Sequence, residues 1–557
     1  MKHANSVVIT TLLCFLPMVS YMPAAAESPE AYAGSSCESL KALRIPDTTI
    51  KSAEMVENEW REPSRGGGPG GQGDAGMRAL MGEPPAGRGA GEPPVGRGVP
   101  QPARSGRGPT VVKGPFCRVV GVVDPAINFE VWLPPVDREK KWNGKFNGVG
   151  NGGLAGSINY RSMAQALARG YATASTDTGH VQGPENESWP MDNPALLTDF
   201  ASRSIHMMTR AAKQITAAYY GNAPKYSYFT GCSGGGGQAM SEAQRYPADY
   251  DGICAGAPAM FPTRMWPGEL HAAWVTHRDP SNMIPGDKLT LINNAALAAC
   301  DAQDGVKDGV LDDPTKCNFD PSTLLCKGAD GPNCLTAAQV DSVKKIYEGL
   351  REPNGKQYWP PYEIGSEPFW PGHINEPFGV PISYFKYMVL RNPKWDWHAF
   401  DFADPKNFAI IQEASARLGP ILDSMEPDLS AFQKLGGKLI LYHGWYDQNI
   451  APRNSVNYYQ KVVETMGGEG KTKDFFRLFM APGMGHCGGG PGPSVFDALA
   501  ALEQWVESGK APDRLLASRV SNGKVDRTRP LCAYPLVAKY RGKGSTDEAA
   551  SFECRLP

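Results

Sequence analysis

A serine placed between a strand and a helix is the feature that most constrains what this chain can fold into. Residues 226–230 (YSYFT) are typical of a buried strand, and they run directly into the glycine-rich segment 231–235 (GCSGG). Residues 238–245 then have the composition of a helix. A G-x-S-x-G sequence in that context predicts a nucleophile elbow, a sharp turn that lifts the Ser233 hydroxyl above the carboxyl edge of a sheet. A plain glycine-rich turn is the alternative.

The rest of the chain continues this alternation of strands and helices. Short apolar or alternating runs predict strands at residues 129–133, 171–176, 251–255 and 438–442. Residues 196–220 have the spacing of an amphipathic helix. Strands that alternate with helices favour an α/β fold with a mostly parallel central sheet.

Length and charge narrow the classes of function. The chain has 557 residues, of which 41% are hydrophobic, enough for a sizeable core. Its 56 basic and 58 acidic residues leave a net charge of −2. No nucleic-acid partner is expected, because phosphate binding needs a concentrated positive field.

Two segments differ in composition from the folded body. Residues 1–26 have the pattern of a secretory signal peptide, with Lys2, an apolar stretch and three alanines before the cleavage site. A membrane anchor is the alternative, but the apolar stretch is shorter than the ~20 residues that a span needs, so no membrane partner is expected. The protein is therefore predicted to be secreted or periplasmic. Residues 65–108 contain 15 Gly and 7 Pro in 44 positions, which predicts a disordered surface insertion.

Two later segments supply an acid and a base in the order serine, acid, histidine. Residues 439–447 (LILYHGWYD) place Asp447 just beyond a predicted strand, where it would hold an imidazole in the correct tautomer. An ordinary turn residue is the alternative for Asp447. His486, in the loop at 483–488 (GMGHCG), is the predicted base. His443 precedes the acid at a strand end and is predicted to be structural.

The separation of the serine from the acid predicts an inserted domain. Asp447 follows Ser233 by 214 residues, which is far more than one or two strands need. We therefore expect a lid at residues 260–425, inserted into a core that comprises residues 27–259 and 426–557.

Three motifs together resemble the tannase/feruloyl esterase family: residues 231–236 (GCSGGG), 442–447 (YHGWYD) and 485–490 (GHCGGG). The resemblance extends over residues 117–554. It implies an α/β-hydrolase fold and a serine esterase that cleaves esters of aromatic acids, feruloyl or other hydroxycinnamoyl esters or galloyl esters, through an acyl-enzyme. Other members cleave mono(hydroxyethyl) terephthalate, which is an alternative substrate.

An oxyanion hole needs two backbone N–H groups that point at the developing alkoxide. Gly234, the residue after the nucleophile, is expected to supply one. The glycine-rich segment 148–156 (GVGNGGLAG) is similar to the family's early loop, and within it Gly153 is expected to supply the other, with Gly152 as the next choice.

The resemblance also implies a disulfide between Cys232 and Cys487, which would fix the geometry of the serine and the histidine beside them. Two packed thiols are the alternative. The chain has 12 cysteines, and Cys14 lies in the predicted signal peptide. Export would let the other eleven form disulfides, and because eleven is odd at least one stays free. The remaining pairs expected from proximity and resemblance are Cys300–Cys317, Cys326–Cys334, Cys532–Cys554 and Cys37–Cys117. Cys254 is left over as a packed thiol.

A structural calcium ion in the lid is implied in the same way, because residues 300–310 (CDAQDGVKDGV) match the family's calcium motif. The implied ligands are the carboxylates of Asp301, Asp304 and Asp308 and the carbonyl groups of Val306 and Val310. Five aspartates between positions 301 and 313 would also repel one another unless a hard cation gathered them. A solvated acidic turn is the alternative.

The substrate is expected to be a small aromatic ester. Residues 358–402 contain 13 aromatic residues in 45 positions, which either stack on an aromatic acyl group or form the lid's own core. Two alternatives of other classes remain: a secreted serine peptidase of the same fold, which would need a subsite for the substrate's amine, and a non-catalytic, calcium-stabilised binding protein. The sequence does not indicate an oligomeric state.

Overall fold

The computed structural model describes residues 34–63, 109–136, 142–181 and 188–557. The predicted signal peptide at 1–26 and the predicted insertion at 65–108 lie outside the described residues. Within the described ranges, no helix is both long enough and apolar enough to cross a membrane.

Nine strands of the described part of the chain form one central sheet. The described strands, in chain order, are β1 (Thr48–Val56), β2 (Glu59–Arg61), β3 (Val111–Lys113), β4 (Phe116–Val123), β5 (Ile127–Leu133), β6 (Lys145–Val149), β7 (Ala172–Thr176), β8 (Tyr226–Cys232), β9 (Gly252–Gly256), β10 (Leu350–Arg351), β11 (Gln357–Trp359), β12 (Lys438–Gly444), β13 (Phe476–Ala481), β14 (Arg514–Ser521), β15 (Lys524–Cys532), β16 (Val537–Tyr540) and β17 (Phe552–Arg555). The order across the sheet is β1-β4-β5-β7-β6-β8-β9-β12-β13. The first three strands in this order are antiparallel and the other six are mutually parallel, so the predicted mostly parallel sheet is confirmed.

The parallel strands bring several loops to one edge of the sheet. Val149, at the end of β6, pairs with Thr230 near the end of β8. Gly444, the last residue of β12, pairs with Ala481, the last residue of β13. Strand β9 lies between β8 and β12 in the sheet and pairs with both. The loops that follow β6, β8, β12 and β13 therefore meet at the carboxyl edge.

Helices lie on both faces of the sheet. The described α-helices, in chain order, are α1 (Tyr160–Ala168), α2 (Trp189–Asp192), α3 (Pro194–Thr198), α4 (Ser204–Tyr220), α5 (Gly234–Arg245), α6 (Pro262–His277), α7 (Gly286–Cys300), α8 (Ala337–Glu348), α9 (Pro371–Ile374), α10 (Gly379–Ser383), α11 (Pro405–Leu422), α12 (Ser430–Lys434), α13 (Arg453–Thr465), α14 (Glu469–Lys473) and α15 (Ala498–Ser508). On one face, Ile215 of α4 and Met240 of α5 pack in the main apolar cluster. On the other face, Met163 of α1 and Leu502 and Trp505 of α15 form a second cluster.

Two helix predictions need correction. The helix after the serine begins at Gly234 rather than at residue 238. Glycine has a low helix propensity, but a Cβ at Gly236 would lie 2.3 Å from the carbonyl oxygen of Gly256, so the close packing of this first turn on β9 requires glycine. The single helix predicted at 196–220 is divided into α3 and α4 by a π-helical turn.

The segment predicted as the lid, residues 260–425, lies between β9 and β12 and contains α6 to α11 and the β10–β11 hairpin. Trp359, Trp370 and Trp397 are buried in apolar clusters of this segment. These tryptophans form its core, which favours the packing interpretation of the aromatic-rich stretch over substrate stacking.

Candidate active site

Ser233 lies in the turn between β8 and α5, at the carboxyl edge of the sheet. Its backbone has φ 64° and ψ −123°, a conformation that residues other than glycine adopt only when the surrounding structure imposes it. Glycine is required beside it, since a Cβ at Gly231 would lie 2.3 Å from the carbonyl oxygen of Gly235. The strand, turn and helix of a nucleophile elbow are therefore present around Ser233.

Asp447 follows β12 and its side chain is completely buried. The backbone N–H groups of Asn449 and Ile450 donate to its Oδ1 at 2.8 and 2.9 Å. Burial alone would raise the pKa of Asp447, but the charge and hydrogen bonds of His486 and His443 hold it well below its usual range. The side chain is therefore an ionised carboxylate.

His486 lies in the loop after β13, and its Nδ1 donates to Asp447 Oδ2 at 2.8 Å. Because a carboxylate only accepts, this bond places a proton on Nδ1 and leaves Nε2 as the nitrogen that can take a proton from a nucleophile. Among the described residues, no hydrogen bond joins Ser233 Oγ to His486. Catalytic hydrogen bonds of this kind often tighten only when substrate binds.

A second histidine also contacts the acid. His443 is fully buried, and its Nε2 donates to Asp447 Oδ2 at 3.1 Å. Its Nδ1 accepts from Ser455 Oγ at 2.7 Å, which fixes the ring. These contacts agree with the prediction that His443 is structural. The sequence did not indicate that the residue it supports is Asp447.

A disulfide joins the loops that carry the serine and the histidine. Cys232 and Cys487 are bonded, with their Cα atoms 6.0 Å apart and a sequence separation of 255. Cys232 precedes Ser233 and Cys487 follows His486 directly. The crosslink therefore limits how far the serine can move relative to the histidine.

Gly153 and Gly234, the predicted oxyanion-hole pair, lie next to each other. Gly234 is the first residue of α5, and Gly153 lies in the loop after β6 with φ 54°. A Cβ at Gly234 would lie 2.9 Å from the oxygen and 3.4 Å from the nitrogen of Gly153. The N–H groups at a helix N-terminus have no partner inside the helix, so Gly234 is suited to bind negative charge.

A cavity lies between α5 and the predicted lid, and Ser233, Gly153 and Gly234 line it. Its other walls are mostly apolar or aromatic. The remaining lining residues are Asn151, Phe200, Ala201, Gly237, Gln238, Ala259, Pro262, Met265, Trp266, Glu269, Phe378, Val380, Leu422, Ser424, Asn449 and Ile450. Such walls suit an apolar or aromatic ligand.

One carboxyl group in this cavity was not anticipated from the sequence. Glu269 is 4% exposed, and its Oε2 makes no hydrogen bond to any described residue. Burial, and then the charge of Asp447, raise the pKa of Glu269 well above its usual value. A single glutamate inside α6 carries no local signal, and only the packing of α6 brings it to the cavity.

The predicted calcium ligands lie on one loop after α7. Asp301 accepts from the backbone N–H groups of Asp308 and Gly309 at 3.3 and 3.0 Å. Asp304 accepts from the backbone N–H of Val306 at 2.8 Å. These bonds order the loop around its own carboxylates.

Only part of the negative charge of this loop is balanced by the protein. Asp308 pairs with Arg527 at 3.1 Å and with Arg529. Burial and the neighbouring carboxylates of Asp308 and Asp301 raise the pKa of Asp304 to about 6. The loop thus concentrates carboxylate charge that favours a cation.

The three aspartates do not form a tight cage within the described residues. The one group of three possible ligand side chains whose atoms all lie within 4.8 Å of one another is Cys326, Asp330 and Cys334, and its two sulfurs are joined in a disulfide. The predicted carbonyl ligand Val310 lies on the acidic loop and is buried. The loop therefore offers several oxygen ligands on one short segment, but these ligands do not form a preformed cage.

All the expected cysteine pairs are bonded in the structure. Besides the pair at the active site, they are Cys37–Cys117, Cys300–Cys317, Cys326–Cys334 and Cys532–Cys554. Cys254 is the free cysteine of the described residues, and burial raises the pKa of its thiol to about 12. A buried, protonated thiol is an inert packing group.

Sequence comparison relates the chain to known proteins. Residues 110–555 match the family model described as tannase and feruloyl esterase. An uncharacterized esterase of Xanthomonas campestris pv. campestris is 37% identical over 495 residues, which cover 79% of this chain and 84% of that protein. A probable feruloyl esterase of Arthroderma benhamiae is 37% identical over 467 residues, which cover 78% of this chain and 83% of that protein.

Solved structures share the fold. The crystal structure of feruloyl esterase B from Aspergillus oryzae matches with a TM-score of 0.79 at 28% identity, covering 93% of this chain and 99% of that chain. Tannin acyl hydrolase from Aspergillus niger matches with a TM-score of 0.72 at 22% identity, covering 94% and 95%, and this likeness concerns the fold alone. The predicted α/β-hydrolase fold is confirmed.

Proposed function

The chain belongs to the tannase and feruloyl esterase family, whose members are carboxylic ester hydrolases, and from this we propose that it cleaves esters of aromatic acids through an acyl-enzyme on Ser233. One observation carries the proposal. A 2.8 Å hydrogen bond joins Asp447 to His486, and the Cys232–Cys487 disulfide ties the loop of His486 to the turn of Ser233. A nucleophile, a base and an orienting acid are the groups that acyl transfer needs.

In the acylation step, His486 Nε2 takes the proton of the Ser233 hydroxyl as the oxygen attacks the ester carbonyl. Asp447 stabilises the imidazolium that forms, and the low pKa of Asp447 keeps it charged for that role. The backbone N–H groups of Gly234 and Gly153 would bind the developing oxyanion. His486 then gives its proton to the departing alcohol.

Deacylation repeats these roles with water as the nucleophile. His486 takes a proton from water, which attacks the acyl-enzyme, and the proton returns to Ser233 as the acid leaves. The disulfide beside both groups supports these two steps, because small displacements of reacting groups lower the rate.

The acyl group is proposed to be aromatic because of the walls of the cavity. Phe200, Trp266 and Phe378 line it together with aliphatic side chains. A planar apolar ring is the group that such a wall favours. The feruloyl esterases among the relatives support the same class of acid.

A terephthalate monoester is the less suitable substrate. The acyl portion of such an ester carries a free carboxylate group, and a buried carboxylate needs a cationic partner. The described residues that line the cavity include neither Arg nor Lys, and Glu269 adds a carboxyl group there. A hydroxylated cinnamate or benzoate ester avoids this conflict.

The acidic loop is proposed to hold calcium. The donors are oxygen atoms only, from Asp301, Asp304, Asp308 and the carbonyl groups of Val306 and Val310, and oxygen is the ligand that calcium prefers. The raised pKa of Asp304, to about 6, supports a fit to a cation. A bound ion would supply positive charge that holds the loop together, and its role would be structural.

Export is proposed from the signal peptide predicted at residues 1–26. Five disulfides in the described chain support it, because such bonds persist in oxidising compartments. Sequencing the N-terminus of the mature protein tests this proposal: it should begin at Glu27, and a mature chain that retains Met1 contradicts it.

Hydrolysis assays with the purified protein test the proposed reaction. Methyl ferulate, methyl gallate and a peptide anilide are compared. We expect turnover of at least one aromatic ester and none of the anilide. Anilide cleavage without ester cleavage would indicate a peptidase, and no cleavage of any substrate would indicate a binding protein.

A further inference from the structure

Glu269 differs from its neighbours on the same face of α6. Pro262, Met265, Trp266 and Glu269 have the spacing of one helix face, and all four line the cavity beside Ser233. Three of them are apolar, as a wall for an aromatic group should be. The fourth places a carboxyl group in that wall.

The carboxyl group of Glu269 differs from the side chains of Asn151 and Gln238 in the same cavity. Its Oε2 is buried and makes no hydrogen bond to any described residue. Asn151 and Gln238 bond to each other instead: Gln238 Nε2 donates to Asn151 Oδ1 at 3.1 Å, and Asn151 N donates to Gln238 Oε1 at 3.0 Å. A buried polar atom without a partner lowers stability, so an unsatisfied carboxyl in a ligand cavity indicates a partner that arrives with the ligand.

The position of the base indicates which part of the substrate reaches Glu269. His486 must give its proton to the departing alcohol, so the alcohol lies next to His486. Among the described residues, Ser233 and both predicted oxyanion-hole glycines line the cavity, whereas His486 does not. The cavity therefore receives the acyl portion, and Glu269 lies on the acyl side of the scissile bond.

The buried, apolar surroundings of Glu269 indicate the chemistry of its partner. Burial raises its pKa well above the usual value, and the charge of Asp447 raises it further. A protonated carboxyl group donates one hydrogen bond and accepts others, as a hydroxyl group does. A carboxylate or an ammonium group would instead bring a charge into an apolar wall.

We infer that Glu269 is a specificity-determining residue that hydrogen-bonds a hydroxyl group on the aromatic ring of the acyl portion. This inference rests on the proposed function, because it assigns a contact within the same acyl cavity. It predicts that esters with a ring hydroxyl are cleaved in preference to the same esters without one.

The test uses two pairs of methyl esters that differ only in ring hydroxyl groups: methyl caffeate with methyl cinnamate, and methyl gallate with methyl benzoate. Selectivity is the ratio of the two kcat/KM values in a pair. Glu269→Met and Glu269→Leu retain an apolar side chain of similar size, and they should lower this ratio about 10- to 100-fold. Glu269→Gln keeps a donor and an acceptor and should retain most of the ratio.

Glu242→Gln is the matched control. Glu242 is 1% exposed, so its carboxyl group is buried like that of Glu269, but it does not line the cavity. Changing it removes a buried carboxyl group on α5, outside the cavity, so the selectivity ratio should stay within about twofold of the wild-type value.

Each outcome decides between the inference and the proposed function. The inference is overturned if the wild-type enzyme shows no preference within either pair, or if the folded Met and Leu variants keep the wild-type ratio. The proposed function fails instead if the wild-type protein hydrolyses p-nitrophenyl acetate but none of the four aromatic esters, and the inference falls with it. Melting temperatures establish which variants are folded.

Discussion

Asp447, at the carboxyl edge of the sheet, and Glu269, in the segment predicted as the lid, are buried carboxyl groups that the protein holds in opposite ways. At the edge, Asp447 accepts hydrogen bonds from the backbone of Asn449 and Ile450 and from the rings of His443 and His486. The protein itself supplies a donor on each side of this carboxylate. The geometry around the acid is therefore complete without any ligand.

In the lid, by contrast, two carboxyl groups lack full compensation. Glu269 is buried and its Oε2 receives no hydrogen bond from the part of the chain that the structure describes, and the pKa of Asp304 is raised to about 6. The comparison indicates that a carboxylate held by the protein's own donors suits the proposed catalysis, whereas Glu269 and Asp304 suit a partner that binds from outside. Changes at the edge should lower turnover, and changes in the lid should alter selectivity or stability.

The largest expected effect comes from removing the nucleophile. Ser233→Ala should lower kcat/KM on aromatic esters by about 10⁶-fold without changing the melting temperature, because the variant lacks the hydroxyl group that forms the proposed acyl-enzyme. Ser241→Ala, at a buried serine of the same helix, is the control and should keep wild-type activity. Near wild-type turnover by Ser233→Ala would place the nucleophile elsewhere.

A smaller loss is expected from changing the acid. Asp447→Asn should lower kcat by about 10⁴-fold, because the amide cannot stabilise the imidazolium but the loop still holds the ring of His486. Steady-state kinetics on one aromatic ester measure the loss. A loss larger than that of Ser233→Ala would indicate that Asp447 holds the fold of the site rather than the charge of the histidine.

The disulfides sharpen the comparison between the two regions. Removing the Cys232–Cys487 bond with two alanines should cost about 5–6 kcal/mol of unfolding free energy in the chain-entropy model, and should also lower turnover where the protein stays folded. The same change at Cys326 and Cys334, in the lid, should cost about 2–3 kcal/mol and leave turnover unchanged. Denaturant unfolding and kinetics at low temperature separate the two effects.

Peptide mapping without reduction checks the premise of that experiment. Cys254 should be the one free thiol among the eleven cysteines of the mature chain. Free thiols at both Cys232 and Cys487 would contradict the crosslink between the two catalytic loops.

The smallest expected effect comes from chelation. Removing calcium should lower the melting temperature by about 5 °C, because an ion that binds only the folded state stabilises it by mass action. Turnover at low temperature should not change. Asp304→Asn should remove the sensitivity to chelator. Loss of turnover at a temperature where the fold is intact would contradict a structural role for the ion.

The sequence predicts the catalytic edge better than the lid, for a physical reason. Ser233, Asp447 and His486 each follow a buried strand of a parallel sheet, so local patterns and the geometry of the fold suffice to bring them together. The pairing of Cys232 with Cys487 was accessible only through resemblance to a family. Glu269 gives no local signal, because its place beside Ser233 depends on how α6 packs over the sheet edge.

Covalent labelling tests the central claim most directly, that Ser233 is the activated nucleophile. The folded protein is treated with a fluorophosphonate, which reacts with activated serine hydroxyl groups, and the adduct is located by peptide mapping. The account predicts one adduct, on Ser233, with loss of esterase activity in proportion to labelling and no adduct on Ser233→Ala. Labelling of a different residue that abolishes activity, or full activity after complete labelling of Ser233, would contradict it.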